Sequence, residues 1–243
     1  MKRVVSLVVA LLLVFSVCSF ASATGSEEWE VNRQEDGTVF LENKLSGETI
    51  VEAFRFDDDG QTVPVDLLEY VHELNALDSE QISSAEESDV PAMLERDVTP
   101  MPYTTYSYKE SSSSKVSGSA VKVTADVKGP ASITYGESIT ISDSYSAGVT
   151  LSSSIKRAIQ IGASFTWQRS LSTGTNFSVT YKVPSGKTGY VKFTPYLNKT
   201  KGTLTRSTTM GIIVGTETYD AEGKSPIKLS NGLPDGTYAI VLK

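Results

Sequence analysis

The sequence predicts a mainly β protein: an elongated antiparallel β-sandwich with long Ser/Thr-rich strands, preceded by a small α+β N-terminal unit. Three observations carry that expectation. Of the 23 odd positions from Ile139 to Val183, 17 are apolar, whereas of the 23 even positions from Ser138 to Lys182 only Ala158 is. Side chains alternate across a strand with period two, so this pattern describes a sheet with one dry face and one hydroxyl-rich face. From Tyr103 onward Val, Ile, Thr and Tyr alternate with polar residues between Gly and Pro turns, and no helical period is visible. Upstream, residues 29–77 join short strand patterns to one amphipathic helix.

Taken in order, residues 1–23 read as a secretory signal peptide. Lys2 and Arg3 precede an apolar run from Val4 to Phe15, and Ala21-Ser22-Ala23 offers a small-residue cleavage site, with the cut expected after Ala23. The run is shorter than the roughly 20 residues of a spanning helix. The expected location is therefore secreted, or extracellular. Cys18 is the sole cysteine, so the chain beyond Ala23 must be held by a core rather than by disulfides.

Residues 24–77 form the expected small acidic α+β unit. "WEVNRQEDGTVFLENKLSGETIVEAFRF" (29–56) reads as strands turning at Asp36-Gly37 and Ser46-Gly47. "VPVDLLEYVHELNAL" (63–77) reads as a helix with Leu67, Tyr70, Val71, Leu74 and Leu77 on one stripe. Residues 78–102, acidic and rich in Ser and Pro, read as a linker. Residues 103–243 form the basic, Ser/Thr-rich β domain. Within it the apolar phase is broken at Asp143, Arg157 and Arg169, and "SSSIKR" (152–157) and "SLSTGTN" (170–176) are the expected turns. One buried sheet face is expected to carry Ile139, Ile141, Tyr145, Val149, Ile159, Ile161, Phe165, Trp167, Phe177, Val179 and Tyr181.

Charge divides the chain. Residues 24–100 hold 21 acids and four bases, and residues 101–243 hold eight acids and 16 bases. Such a split speaks of partners, and of mutual attraction between the two parts, rather than of fold. The acidic strap over 78–100 is expected to lie against the basic Lys182–Arg206 surface.

Catalytic chemistry is sparse. His72 is the only histidine, on the helix face opposite the apolar stripe, and a His-based triad or a His/Cys metal site lacks partners. Asp57-Asp58-Asp59-Gly60 has acids in a row rather than at the alternate positions of a calcium loop, and suits a polar turn. No cofactor, no metal site and no enzyme activity are expected. Secretion and the acidic whole disfavour nucleic acid. The remaining feature is a basic and aromatic run in which Lys182, Lys187, Tyr190, Lys192, Tyr196, Lys199, Lys201 and Arg206 are the expected surface-binding residues.

The Ser/Thr-rich amphipathic strands, followed by "TYKVPSGKTGYV" (Thr180–Val191), resemble the aerolysin-like, epsilon-toxin/mosquitocidal-toxin type of β-pore-forming proteins over roughly residues 105–205. The resemblance implies an amphipathic hairpin able to enter a membrane, with Ile155, Lys156 and Arg157 at its tip. It also implies a homo-oligomer, with the acidic part acting as a pro-segment.

The leading expectation is a secreted, non-enzymatic protein that binds or acts on an anionic cell-envelope polymer or lipid surface. The alternatives are an aerolysin-like pore former and a secreted hydrolase.

Overall fold

The computed structural model describes residues 29–75, 103–135, 140–168, 179–210 and 212–243. The expected signal peptide (1–23) and linker (78–102) lie outside the described residues, as do Ile139, Phe177 and the turn at 170–176.

In chain order the elements are β1 (Trp29–Arg33), β2 (Val39–Asn43), β3 (Glu48–Phe56), β4 (Thr62–Pro64), α1 (Leu67–Asn75), β5 (Tyr103–Ser117), β6 (Val121–Lys122), β7 (Val127–Lys128), β8 (Ala131–Tyr135), β9 (Ser144–Ser146), α2 (Ser153–Ala163), β10 (Val179–Val183), β11 (Thr188–Met210), β12 (Ile213–Pro226) and β13 (Gly236–Leu242). The protein is mainly β, and every described strand pairing is antiparallel.

β11 organises the molecule. Its 23 residues span ~75 Å at about 3.3 Å each. The strand is rich in Thr, Tyr, Val and Phe, which suit a pleated, half-buried surface. It changes neighbours midway. Residues Gly189–Pro195 pair with β13 along one edge, and Leu197–Met210 then pair with β12. Along the other edge β7 and β6 give way to β5, which pairs from Tyr196 to Thr209. Pro195 has no N–H to give a ladder, and it sits where one set of partners ends and the next begins. Pro226 marks the same boundary on β12, opposite Leu197.

Two cores flank the first half of β11. On one face Val191, Phe193 and Leu197 pack with Phe54, Tyr238, Ile240, Ile133 of β8 and Val183 of β10. On the other, Tyr190 meets Leu67, Tyr70, Val71 and Leu74 of α1, together with Trp29, Leu41 and Ile50. Leu67, Tyr70, Val71 and Leu74 of the predicted stripe are thus the face α1 buries, and Leu77 lies outside the described residues. Asp66 accepts from Leu68 N at 2.8 Å at the start of this helix. At its end, Asn75 exchanges two hydrogen bonds with the backbone of Trp29. β3 pairs with β13, so the N-terminal strands extend the same sheet as the Ser/Thr-rich region.

The third core corrects the sequence reading. Residues 139–183 do not form one two-faced sheet, because α2 occupies 153–163. The expected turn at 152–157 is the start of this helix: Ser152 caps it, accepting from Ile155 N at 3.3 Å. Ile155, Ala158 and Ile159 are buried with Tyr108, Tyr145, Phe165, Leu204 and Ala221. Ile161, expected on the dry face, is 73 % exposed on the outer side of the helix. Ile141 goes to a different core from Tyr145. The physical reason is a coincidence of periods. Positions 155 and 159 share the odd phase of a strand and also the i, i+4 spacing of a helix. Ala158, the single apolar even position, fits only the helix.

Helix α2 lies close on β5, where a Cβ added at Gly162 would be 2.1 Å from the Tyr108 carbonyl oxygen. Past Leu204 no described helix covers β11, and six more residues carry the β5–β11–β12 ribbon ~20 Å to its end.

Candidate functional site

The two ends of β11 differ in chemistry, and the predicted binding residues must be placed against both. At its start, the turn Pro184–Lys187 joins β10 to β11, with Gly186 at φ 79°, and Lys187 N donates to Pro184 O at 3.2 Å. Lys128 of β7 pairs with Thr188, and Gly129 N donates to Lys187 O at 2.9 Å. Lys182 lies on β10, paired with Ser132. Lys128, Lys182 and Lys187 are exposed, and none forms an ion pair among the described residues. The nearest acid in sequence, Asp126, is bound to Lys122 at 2.8 Å.

The other predicted residues are engaged by partners within the chain. Tyr190 is 1 % exposed and donates its hydroxyl to Glu48. Lys192 pairs with the same carboxylate and lies 5.6 Å from the centre of the Trp29 ring. Burial pushes the Glu48 carboxyl up, but hydrogen bonds from Lys192 and Tyr190 outweigh it and hold the group below its ordinary value. Tyr196 is buried and donates to Glu73 at 3.0 Å, with Lys115 4.1 Å above its ring. Lys199 and Lys201 meet Glu222 at 3.0 and 3.1 Å, where Lys224 also sits at 3.3 Å. There too burial acts upward and the lysines prevail, keeping the carboxyl low. Arg206 faces Glu217 at 3.4 Å.

Six of the eight residues therefore have packing, hydrogen-bond or ion-pair partners within the chain, Lys201 and Arg206 among them at the surface, whereas Lys182 and Lys187, beside the start of β11, are exposed with no ion-pair partner among the described residues. Lys128, not among the predicted residues, reaches this end of β11 through the β7–β11 pairing. The signal for it lay in "VKGPAS" (127–132), a Gly-Pro turn of the kind that brings strands together. The residues expected at a membrane hairpin tip lie in the first turn of α2. Ile155 is 1 % exposed, Lys156 meets Asp143 at 3.4 Å and Arg157 faces solvent.

The acidic run at 57–59 makes a turn. Asp57 accepts from Asp59 N and Gln61 N, while Asp58 accepts from the backbone N and hydroxyl of Ser230. Among the described residues no cluster of three or more His, Cys, Asp or Glu is placed to hold a metal ion. None of the described helices is long and apolar enough to cross a membrane, which leaves strands unaddressed.

A protein-family model, Family of unknown function (DUF6060), matches residues 96–242. The chain belongs to this family. The DUF6060 match takes in β5 through β13, and so holds the basic corner, the ribbon and α2, while β1 to β4 and α1 precede it. No curated protein matches. No solved structure does either.

Proposed function

We propose that this is a secreted, non-enzymatic protein that binds an anionic surface, either a cell-envelope polymer or a lipid headgroup layer, through Lys128, Lys182 and Lys187. One observation carries the reading: these three exposed cations lie on the segments that meet where β11 begins and have no ion-pair partner among the described residues, whereas Lys192, Lys199 and Arg206 are paired with Glu48, Glu222 and Glu217. Each lysine close to an anionic surface is worth about 1 kcal/mol at moderate salt. Replacing all three with glutamine should weaken binding to phosphatidylglycerol vesicles or an immobilised anionic polymer on the order of 100-fold. The wild-type affinity should fall steeply with added salt. Equal binding by wild type and the triple variant across a salt series would end this reading.

A second reading, the pore former, is favoured by residues 139–183. Their period-two pattern runs far beyond what a short strand and an 11-residue helix require. Paired as a hairpin, the same residues would present one apolar and one hydroxyl face, as a membrane strand does. On this reading, pairing between copies would close the barrel. Ser144 and Lys224 are cross-strand partners of β9 and β12. A disulfide between Ser144→Cys and Lys224→Cys should abolish dye release from vesicles, and reduction should restore it. Leakage that continues with the disulfide formed would rule out release of this segment.

A further inference from the structure

The end of the ribbon has a composition that neither its fold nor the basic corner explains. The β11–β12 hairpin closes with Met210 opposite Ile213. Met210, Ile212, Ile213 and Val214 are all exposed there, Ile212 fully at 101 %. Tyr103 of β5, 69 % exposed, sits opposite Thr209 and adds an aromatic ring to the same end. Single exposed apolar residues are ordinary, but a contiguous group of this kind marks a contact surface.

We propose that this tip is a shallow membrane anchor, seating Met210, Ile212, Ile213 and Val214 at the boundary between the headgroups and the acyl chains of a lipid bilayer. The inference goes beyond the anionic-surface reading and does not rest on it.

Three features select a bilayer as the occupant. The first is the order of residues along the ribbon. Behind the apolar end comes a band of hydroxyls, in which Thr104, Thr208 and Gly215 share one row and Thr105, Ser207 and Thr216 the next. The first charges, Arg206 and Glu217, are paired with each other in the following row, beside Tyr106. Apolar, then hydroxyl, then charge and aromatic ring is the sequence of environments met on leaving a membrane. The second is length. Met210 lies four residues beyond Arg206, ~13 Å along a strand, which covers the 5–10 Å to which an interfacial element sinks and leaves the charges in water. The third is shape. The tip is the convex end of a narrow ribbon with side chains pointing outward on both faces. A fluid bilayer closes around such a wedge, whereas a protein partner would have to bring a pocket.

The backbone limits the depth. β12 pairs on its outer side with β9 only at Glu222–Lys224, so the outer edge from Ile213 to Ala221 has no strand partner among the described residues. An open edge is not tolerated in hydrocarbon. The anchor therefore stops at the interface and does not span.

The test uses the chain from Thr24, which contains every described residue and no cysteine. An environment-sensitive dye on Ile212→Cys is mixed with phosphatidylcholine vesicles, which carry no net charge, and the same dye on Lys187→Cys serves as reference. The Ile212 probe should shift to the blue and be quenched by shallow lipid-borne quenchers, at low and high salt alike, while the Lys187 probe stays unchanged. The pair Ile213→Asp and Val214→Asp should reduce vesicle partitioning about tenfold or more. Both side chains face solvent, so the fold survives, as unchanged circular dichroism and melting would verify. The triple lysine variant should partition into neutral vesicles as the wild type does, which separates this inference from the anionic reading. Absence of the blue shift, or equal partitioning by the aspartate pair, would overturn it. So would lipid-free self-association that the aspartate pair abolishes, because the occupant would then be a second copy.

Discussion

Phe193→Ala is expected to destabilise the protein by about 3–5 kcal/mol, the range for deleting a fully buried aromatic ring. Phe193 is 0 % exposed, and its ring centre lies 4.3 Å from that of Tyr238. Tyr238 in turn stacks on Phe54 at 5.4 Å, so one ring links β11, β13 and β3. A Cβ at Gly236 would come within 2.6 Å of the Phe193 ring, which shows how closely β13 has settled against it. Neighbours packed this tightly cannot collapse into the space left behind, so most of the cavity remains. For a chain of this size the midpoint of thermal unfolding should drop by about 10 °C. Urea titration of wild type and variant measures the difference, and a loss under about 1 kcal/mol would mean that this is not the centre of the core.

Phe165→Asp should cost about 4 kcal/mol, and Ser164→Asp beside it no more than about 0.5 kcal/mol. Phe165 is buried in the core under α2, edge-on to Trp167 with ring centres 4.9 Å apart. An aspartate there would be a charge without a partner in an apolar surrounding. Ser164 is exposed and has a left-handed backbone, φ 52°, at the end of α2. Asp adopts that conformation more readily than most residues do. Comparing the two variants by chemical unfolding removes the effect of added negative charge as such. Similar losses at both positions would contradict the packing described for the 164–168 segment.

The β class and the N-terminal helix were legible because their patterns have a single solution. Leu67, Tyr70, Val71 and Leu74 fit a helix and no strand, and the Thr- and Tyr-rich run after Lys187 fits a strand and no helix. The segment from Ser138 to Val183 was not legible in this way. Spacing by four satisfies both periods, so Ile155 and Ile159 supported a strand in sequence and a helix in space. Only Ser152 as a cap and Ala158 off the odd phase argued for the helix. The basic corner was half legible. Lysine is recognisable in sequence, but whether its charge is free depends on an acid far along the chain, as Glu48 is for Lys192. The apolar tip was legible in principle: "MGIIVG" (210–215) has no charge and stands between two long hydroxyl-rich strands. An apolar run reads as core in sequence, and only the topology leaves this one uncovered among the described residues.

β11 belongs both to the body and to the ribbon, and this gives the molecule a directional response to force. A pull on the far end along the strand axis draws β11 and β12 out together as one hairpin and loads the β5–β11 ladder in shear, where pairs from Tyr196 to Thr209 resist together. A sideways pull peels that ladder one pair at a time. The protein is therefore a stiff rod under axial tension and a zip under lateral tension. Traction on the tip reaches the aromatic core at Phe193 through one continuous strand, β11, past the register shift against β5 at Lys201 and Gly202.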